Sequence, residues 1–339
     1  MNSFVNLSSA DRRRYCEKAG SLLGIHAPSI EKDYWVCWTL RELFTQPDFG
    51  PHLTFKGGTS LAKCWKLIER FSEDLDIVIE RAFLGFGDTR NPGNASSQSK
   101  REDLLFELRA TCQSVIRDKL HPALQRRFQD ILPKALNWDL VNDPDDVDKQ
   151  SLLFHYPTVF AVGGYLRPVV KIEMGARSDT EPVTMPTVQP YLAEALPQLF
   201  KDSTFTLQSL TPERTFWEKT MLLHEKTFMT DDSAPKARLA RHYYDVWCLI
   251  RAGVADRALS DTGLFVRVVE HRAVYFCKGK EIRDTLKPGT FRLLPREGTE
   301  SAWKKDYEAM REAMFFGETP DFDEILQVVG EFERRLNQV

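Results

Sequence analysis

Between Phe55 and Glu80 the sequence reads FKGGTSLAKCWKLIERFSEDLDIVIE, and its hydrophobic period changes there from that of a helix to that of a strand. Leu61, Cys64 or Trp65, and Ile68 have the spacing of one buried helix face, leaving Lys63, Lys66 and Glu69 for solvent or ligand. Leu75, Ile77 and Ile79 then alternate with Asp74, Asp76 and Val78, which predicts a strand with both aspartates on one face. At strand rise their Cα atoms lie about 6.5 to 7 Å apart.

Gly57 and Gly58 lack the Cβ that would hold a polyphosphate away, so their N–H groups can approach phosphate oxygens at the mouth of the helix. Thr59 and Ser60 add hydroxyl donors. Two carboxylates at the spacing of Asp74 and Asp76 can share metal ions about 3.5 to 4 Å apart. A glycine pair alone, or Asp-Leu-Asp alone, fits a polar strand edge after a helix. The ordered combination is the layout of a nucleotidyltransferase active site.

The 339 residues suffice for two domains of ordinary size or one large one. No apolar run is long enough to cross a bilayer, and Met1 to Ala10 has neither the basic start nor the apolar core of a signal peptide, so a cytoplasmic protein is expected. Cys16, Cys37, Cys64, Cys112, Cys248 and Cys277 stand singly, as small core residues do, and the histidines are equally dispersed. A formal net charge of −3 argues against a surface coated for non-specific nucleic-acid binding while leaving room for a local basic groove.

From the N-terminus, a helix capped by Ser8 or Ser9 is expected to run to Gly24, and a second to start near Ser29 with Ile30, Tyr34, Cys37, Trp38 and Phe44 on its core face. On that pattern the EKDYWV run is an amphipathic helix with Lys32 and Asp33 exposed. After the carboxylate strand comes a loop, FLGFGDTRNPGNASSQSKRED, then helical spacing from Leu104 to Leu124 and weakly to Leu136, then an acidic solvated turn from Asn142 to Asp148. Leu152–Tyr156, Thr158–Val162 and Pro168–Met174 read as strands. In the last, Val169, Lys171 and Glu173 share a face, so Glu173 could join the aspartates if this strand neighbours theirs, as a two-metal site requires. Thr211 and Pro212 open a helix with an Arg214–Glu218 pair. The loop TFMTDDSAPKA leads to a helix where Arg241 and Asp245 are spaced for a salt bridge, and after the irregular KGKEIRDTLKPGTFRLLP the chain ends in helices around Thr299–Phe316 and Asp321–Asn337.

Read in order, KGGTS, SEDLDI, KIE, ERTFWEK and RHYYDVW resemble the AbiEii-type nucleotidyltransferase toxins, the toxin halves of AbiE and MenT toxin–antitoxin or phage-defence systems. The likeness covers most of the chain, including EKDYWV and the late WKKDYEAMREAMFFGETPDFDEIL. It implies a bilobed α+β fold, with a mixed-sheet nucleotidyltransferase domain over residues 1–205, a mainly helical domain over 206–339, and the nucleotide between them. By position it makes Lys56, Gly57, Gly58, Thr59 and Ser60 nucleotide-binding, and Asp74 and Asp76 catalytic metal ligands joined less securely by Glu173 with Lys171 beside it. It makes Lys219 a nucleotide-contacting catalytic lysine and Asp245 an essential acid. Lys32 and Asp33 gain no defined role from it.

The activity so implied is Mg²⁺-dependent, with Mn²⁺ as a substitute: nucleotidyl transfer from an NTP to an RNA acceptor, in particular the tRNA 3′ end, countered by an antitoxin encoded nearby. Transfer to a protein hydroxyl or a small molecule would use the same chemistry. A non-catalytic nucleotide- or antitoxin-binding module is the remaining alternative, against which stands the pairing of two anions that repel each other without metal.

Overall fold

The computed structural model describes residues 1–72, 74–161, 167–228, 238–277, 283–317 and 319–338. Its strands are β1 (Leu53–Lys56), β2 (Asp74–Ile79), β3 (Asp139–Asn142), β4 (Ser151–His155), β5 (Val169–Gly175), β6 (Val183–Thr184), β7 (Thr187–Val188), β8 (Phe205–Thr206) and β9 (Ser209–Leu210). Seven form one mixed sheet in the order β3-β4-β5-β2-β1-β9-β6, and β7 pairs with β8. The chain separates into two units, one of Met1–Cys64 with Phe71–Ser209, the other of Trp65–Arg70 with Leu210–Val339. No helix among the described residues is long and apolar enough to cross a membrane.

In the first unit the period-two pattern of β2 and β5 gives the central sheet two unlike faces. Leu75, Ile77, Val170, Ile172 and Met174 are buried on one, with Leu152 and Phe154 of β4. The helix Ala27–Phe44 closes that face, with Trp35 edge-on to Phe154 and Trp38 stacked on it at centroid distances of 5.8 and 5.7 Å. Aromatic edge and offset contacts of this kind add to the area that each ring buries. Ser8 caps the preceding helix, Ser9–Leu23, by accepting from Asp11 N, and Gly24 ends it in the left-handed region, as the sequence predicts.

Several expectations are corrected here. The helix opened by the glycines stops at Lys63, so Ile68 is not on it. Lys66 takes a positive φ of 52°, and the chain passes into the second unit, where Arg70 bridges to Phe315 and Glu69 O accepts from Phe316 N and Gly317 N. Lys63 faces neither solvent nor ligand; it is buried with its Nζ 2.7 Å from Asp33 Oδ1. Lys32 and Asp33 are buried too, because their helix is covered all round. Lys32 Nζ donates to Arg167 O, and Asp33 Oδ2 accepts from Tyr191 N. Residues 158–161 form no strand and Val162 lies outside the described residues, whereas β3 occupies a stretch that carried no strand pattern. A helix begins at Gln98, inside the expected loop, because Ser97 caps it.

The second unit is helical: Pro212–Thr227, Arg241–Arg251, Val254–Ser260, Thr262–Tyr275, Glu300–Met314 and Phe322–Leu336. Thr211 caps the first of these by accepting from Arg214 N, and Arg214 pairs with Glu218 at 3.2 Å, as expected. Of the loops flanking these helices, residues 229–237 and 278–282 lie outside the described residues.

Candidate active site

β1 delivers the chain to Gly57, where φ is +80°, a conformation that costs a side-chain-bearing residue about 1 to 2 kcal/mol. Space imposes the same choice, since a Cβ at Gly57 would lie 1.9 Å from Asp76 Oδ2. The glycine therefore lets the backbone lie against a carboxylate. No side chain caps the Gly57–Lys63 helix that follows. Thr59 and Ser60, both buried, turn their hydroxyls inward: Thr59 Oγ1 bonds Asp74 O at 2.6 Å and Ser72 Oγ at 2.9 Å, and Ser60 Oγ donates to Gly57 O. They brace the turn with hydroxyls that the sequence reading had offered to phosphate. Gly58 is buried in the same turn.

Asp74 and Asp76 stand half-buried on the polar face of β2. β1 runs antiparallel to β2 with Lys56 opposite Asp76, and β5 runs parallel to it with Lys171 opposite Asp74 and Glu173 opposite Asp76. Paired residues on neighbouring strands project from the same face, so Lys56, Asp76 and Glu173 form one row across three strands. Asp74 and Lys171 form the next. The condition set for Glu173, a place beside the aspartate strand, is thus met.

The charges in these rows are engaged. Lys171 Nζ is 2.7 Å from Glu173 Oε1 and 3.2 Å from Asp143 Oδ2. Burial works to lower the Lys171 pKa, but its bond with Glu173 and then Asp143 raise it above the usual lysine value. Asp143, read from sequence as part of a solvated turn, is thereby tied to β5. Lys56 Nζ donates to Ser178 Oγ at 3.0 Å. Among the described residues no three His, Cys, Asp or Glu side chains converge as a metal site. The donor set of two carboxylates at alternate strand positions, with a third in register, nevertheless has the hard-oxygen chemistry that Mg²⁺ takes.

Lys219 and Asp245 belong to the second unit, where they meet. Lys219 Nζ lies 2.8 Å from Asp245 Oδ2, while Arg70 holds the same carboxylate with Nε on Oδ1 at 2.7 Å and Nη2 on Oδ2 at 2.8 Å. Asp245 is fully buried. Burial disfavours its charge, yet Arg70 and then Lys219 outweigh this and hold the carboxyl well below the usual range. Burial, opposed by Asp245 and reinforced by Arg70, lowers Lys219 below the ordinary lysine value. The expected Arg241–Asp245 bridge is replaced by Arg70. Nothing in ERFSED marks that arginine, because its partner is 175 residues away.

Comparison with known proteins follows this geometry. The family described as "Nucleotidyl transferase AbiEii toxin, Type IV TA system" matches residues 38–328. No curated protein matches the chain. Among the solved structures that match are JHP933 from Helicobacter pylori, 14% identical with TM-score 0.38 over 90% of this chain and 92% of its own, and MenT4, a nucleotidyltransferase toxin from Mycobacterium tuberculosis H37Rv, 16% identical with TM-score 0.38 over 98% of each. The family match spans both units and every candidate residue described above, and the chain belongs to the AbiEii nucleotidyltransferase toxin family.

Proposed function

We propose that this chain transfers a nucleotidyl group from an NTP to an RNA acceptor, the tRNA 3′ end being the first to test, and that an antitoxin restrains it. The observation that carries the reading is the row Lys56–Asp76–Glu173, with Asp74 two residues away on the same face and the Gly57 backbone against Asp76. A polar strand edge needs no glycine fitted to a carboxylate.

Asp74 and Asp76 would hold Mg²⁺ or Mn²⁺, with Glu173 as a third ligand once Lys171 yields it. Such an ion, when bound, supplies charge neutralisation for the departing pyrophosphate and acidifies the attacking hydroxyl. The remaining work falls to the chain. Gly57 offers a backbone amide that no Cβ covers, and Lys56 and Lys219 offer ammonium groups to phosphate oxygens. Asp245 touches no substrate in this reading; with both oxygens engaged, it orients Lys219 and Arg70.

The test is incubation of the protein with each labelled NTP, Mg²⁺ and total RNA, alongside Asp76→Ala. Label in an RNA band that the variant fails to produce supports the reading. Label only in a protein band or a small soluble product would move the acceptor to those classes. No label with any NTP, or equal label from the variant, would overturn catalysis at this site.

A further inference from the structure

His242 is the second residue of the helix Arg241–Arg251 and precedes Asp245 by about one helical turn, so the two share a face. Its Nδ1 is enclosed, yet among the described residues it has no hydrogen-bond partner, although the residue as a whole is partly accessible. A core histidine would have both nitrogens satisfied or open to water, because an enclosed polar atom left unpaired costs about 1 to 3 kcal/mol. His224 in the same unit shows the satisfied case: Nδ1 accepts from Arg292 N and Nε2 meets Thr285 Oγ1.

The surroundings define what the missing partner is. Beside His242 stand Lys219, Arg241 and Arg70 as cations, and Asp245 is the anion that faces them. Two of those cations already share that one carboxylate, so the cluster carries surplus positive charge in a buried place. Burial, then Lys219 and Arg241, push the imidazole well below its ordinary value, which leaves a neutral ring with one N–H to give. A metal cation would meet repulsion here. A phosphoryl oxygen would match the surplus charge and, with the ring's N–H on Nδ1, the unpaired nitrogen as well.

We propose that His242 is a ligand-contacting residue whose Nδ1–H donates to a phosphoryl oxygen of the polyphosphate held by Lys219. This rests on the nucleotidyl-transfer reading above and gives a role to a residue of RHYYDVW that the resemblance leaves without one. Asparagine can place an amide donor where Nδ1 stands, whereas glutamine places it one atom further out.

Titration calorimetry on the full chain with Mg²⁺ tests the contact, using each non-hydrolysable NTP analogue and inorganic tripolyphosphate as probes, with wild type, His242→Ala, His242→Asn and His242→Gln first checked for equal melting. The expected result is that His242→Ala weakens both probes by about 10- to 100-fold, that His242→Asn recovers to within about threefold of wild type, and that His242→Gln does not. Unchanged affinity in His242→Ala, an equal loss in His242→Asn, or a loss for NTP with tripolyphosphate unaffected would each overturn the phosphate contact. A wild-type protein that binds neither probe would overturn the nucleotide reading beneath it, an outcome distinct from those three. If His242→Ala does not fold, the comparison of His242→Asn with His242→Gln still decides.

Discussion

The backbone of Gly57 lies so close to the Asp76 carboxylate that a β-carbon there would stand 1.9 Å from Oδ2 and 2.7 Å from Cγ. At these distances the Asp76 side chain would have to move, and the φ of +80° adds strain for any residue but glycine. Gly57→Ala is therefore expected to cost about 1 to 3 kcal/mol in chemical denaturation and to reduce transfer by at least about a hundredfold, since displacing a reacting group by about 1 Å is enough for that. Near-wild-type transfer by a folded Gly57→Ala would show that Asp76 need not stay where the glycine lets it stand.

Asp245 gives a stability prediction with a definite sign. Its folded carboxyl titrates well below the unfolded value because Arg70 and Lys219 outweigh burial, so the unfolded state takes up protons first as pH falls. Its contribution is complete above the unfolded aspartate value and is lost as pH drops toward the folded one. Asp245→Asn leaves two buried cations facing each other and should cost about 3 to 5 kcal/mol at neutral pH, less in acid. Urea denaturation of both proteins at pH 7 and at pH 3 checks this; a constant difference between them would remove the charge argument.

What the sequence revealed and what it hid divide along physical lines. The alternation in β2 and β5 was legible because each strand writes its two faces in its own residues, and Thr211-Pro212 and Ser8 announce helix starts through local bonds. The pairing of Asp76 with Glu173 needed an assumption about strand order that no local pattern contains. Arg70 escapes notice, and Lys63 and Asp33 are misread, for a related reason. A charge on a helix or in a loop looks solvated until its partner, 30 residues away for Lys63 and 175 for Arg70, is brought to it. His242 lies inside RHYYDVW, but its unpaired Nδ1 is a property of the fold that no local pattern contains.

The Asp33–Lys63 pair can now be assigned a structural duty. Burial raises the Asp33 carboxyl, while Lys63, pulled down by burial, is carried above its usual value by Asp33. The backbone N–H of Tyr191 on Asp33 and the Tyr191 ring face 3.7 Å from Lys63 Nζ both favour the charged forms. Lys63→Met strands a buried carboxylate and should cost about 3 to 5 kcal/mol, whereas the double change Lys63→Met with Asp33→Leu should recover most of it. Denaturation midpoints of the three variants measure the coupling. Additive losses would mean that the two side chains act separately.

His224 makes the last prediction, and it concerns mild acid. Its Nδ1 accepts the Arg292 N–H, which only the neutral ring can do, and burial, against Glu225, lowers its pKa to about 4. Between the unfolded value of about 6.5 and that folded value the unfolded state binds the extra proton, so stability rises with pH through this window and falls as the solution is acidified. The full swing is about 3 kcal/mol for so deeply buried a ring. His224→Asn keeps an acceptor near Nδ1 without a titrating proton. Its stability should therefore be lower than wild type at pH 7.5 but nearly flat down to pH 5, apart from slopes that both proteins share. Parallel curves for wild type and variant over that range would show that His224 does not bind its proton preferentially in the unfolded chain, and would separate its packing against Phe291 from its hydrogen bond to the segment carrying Arg292.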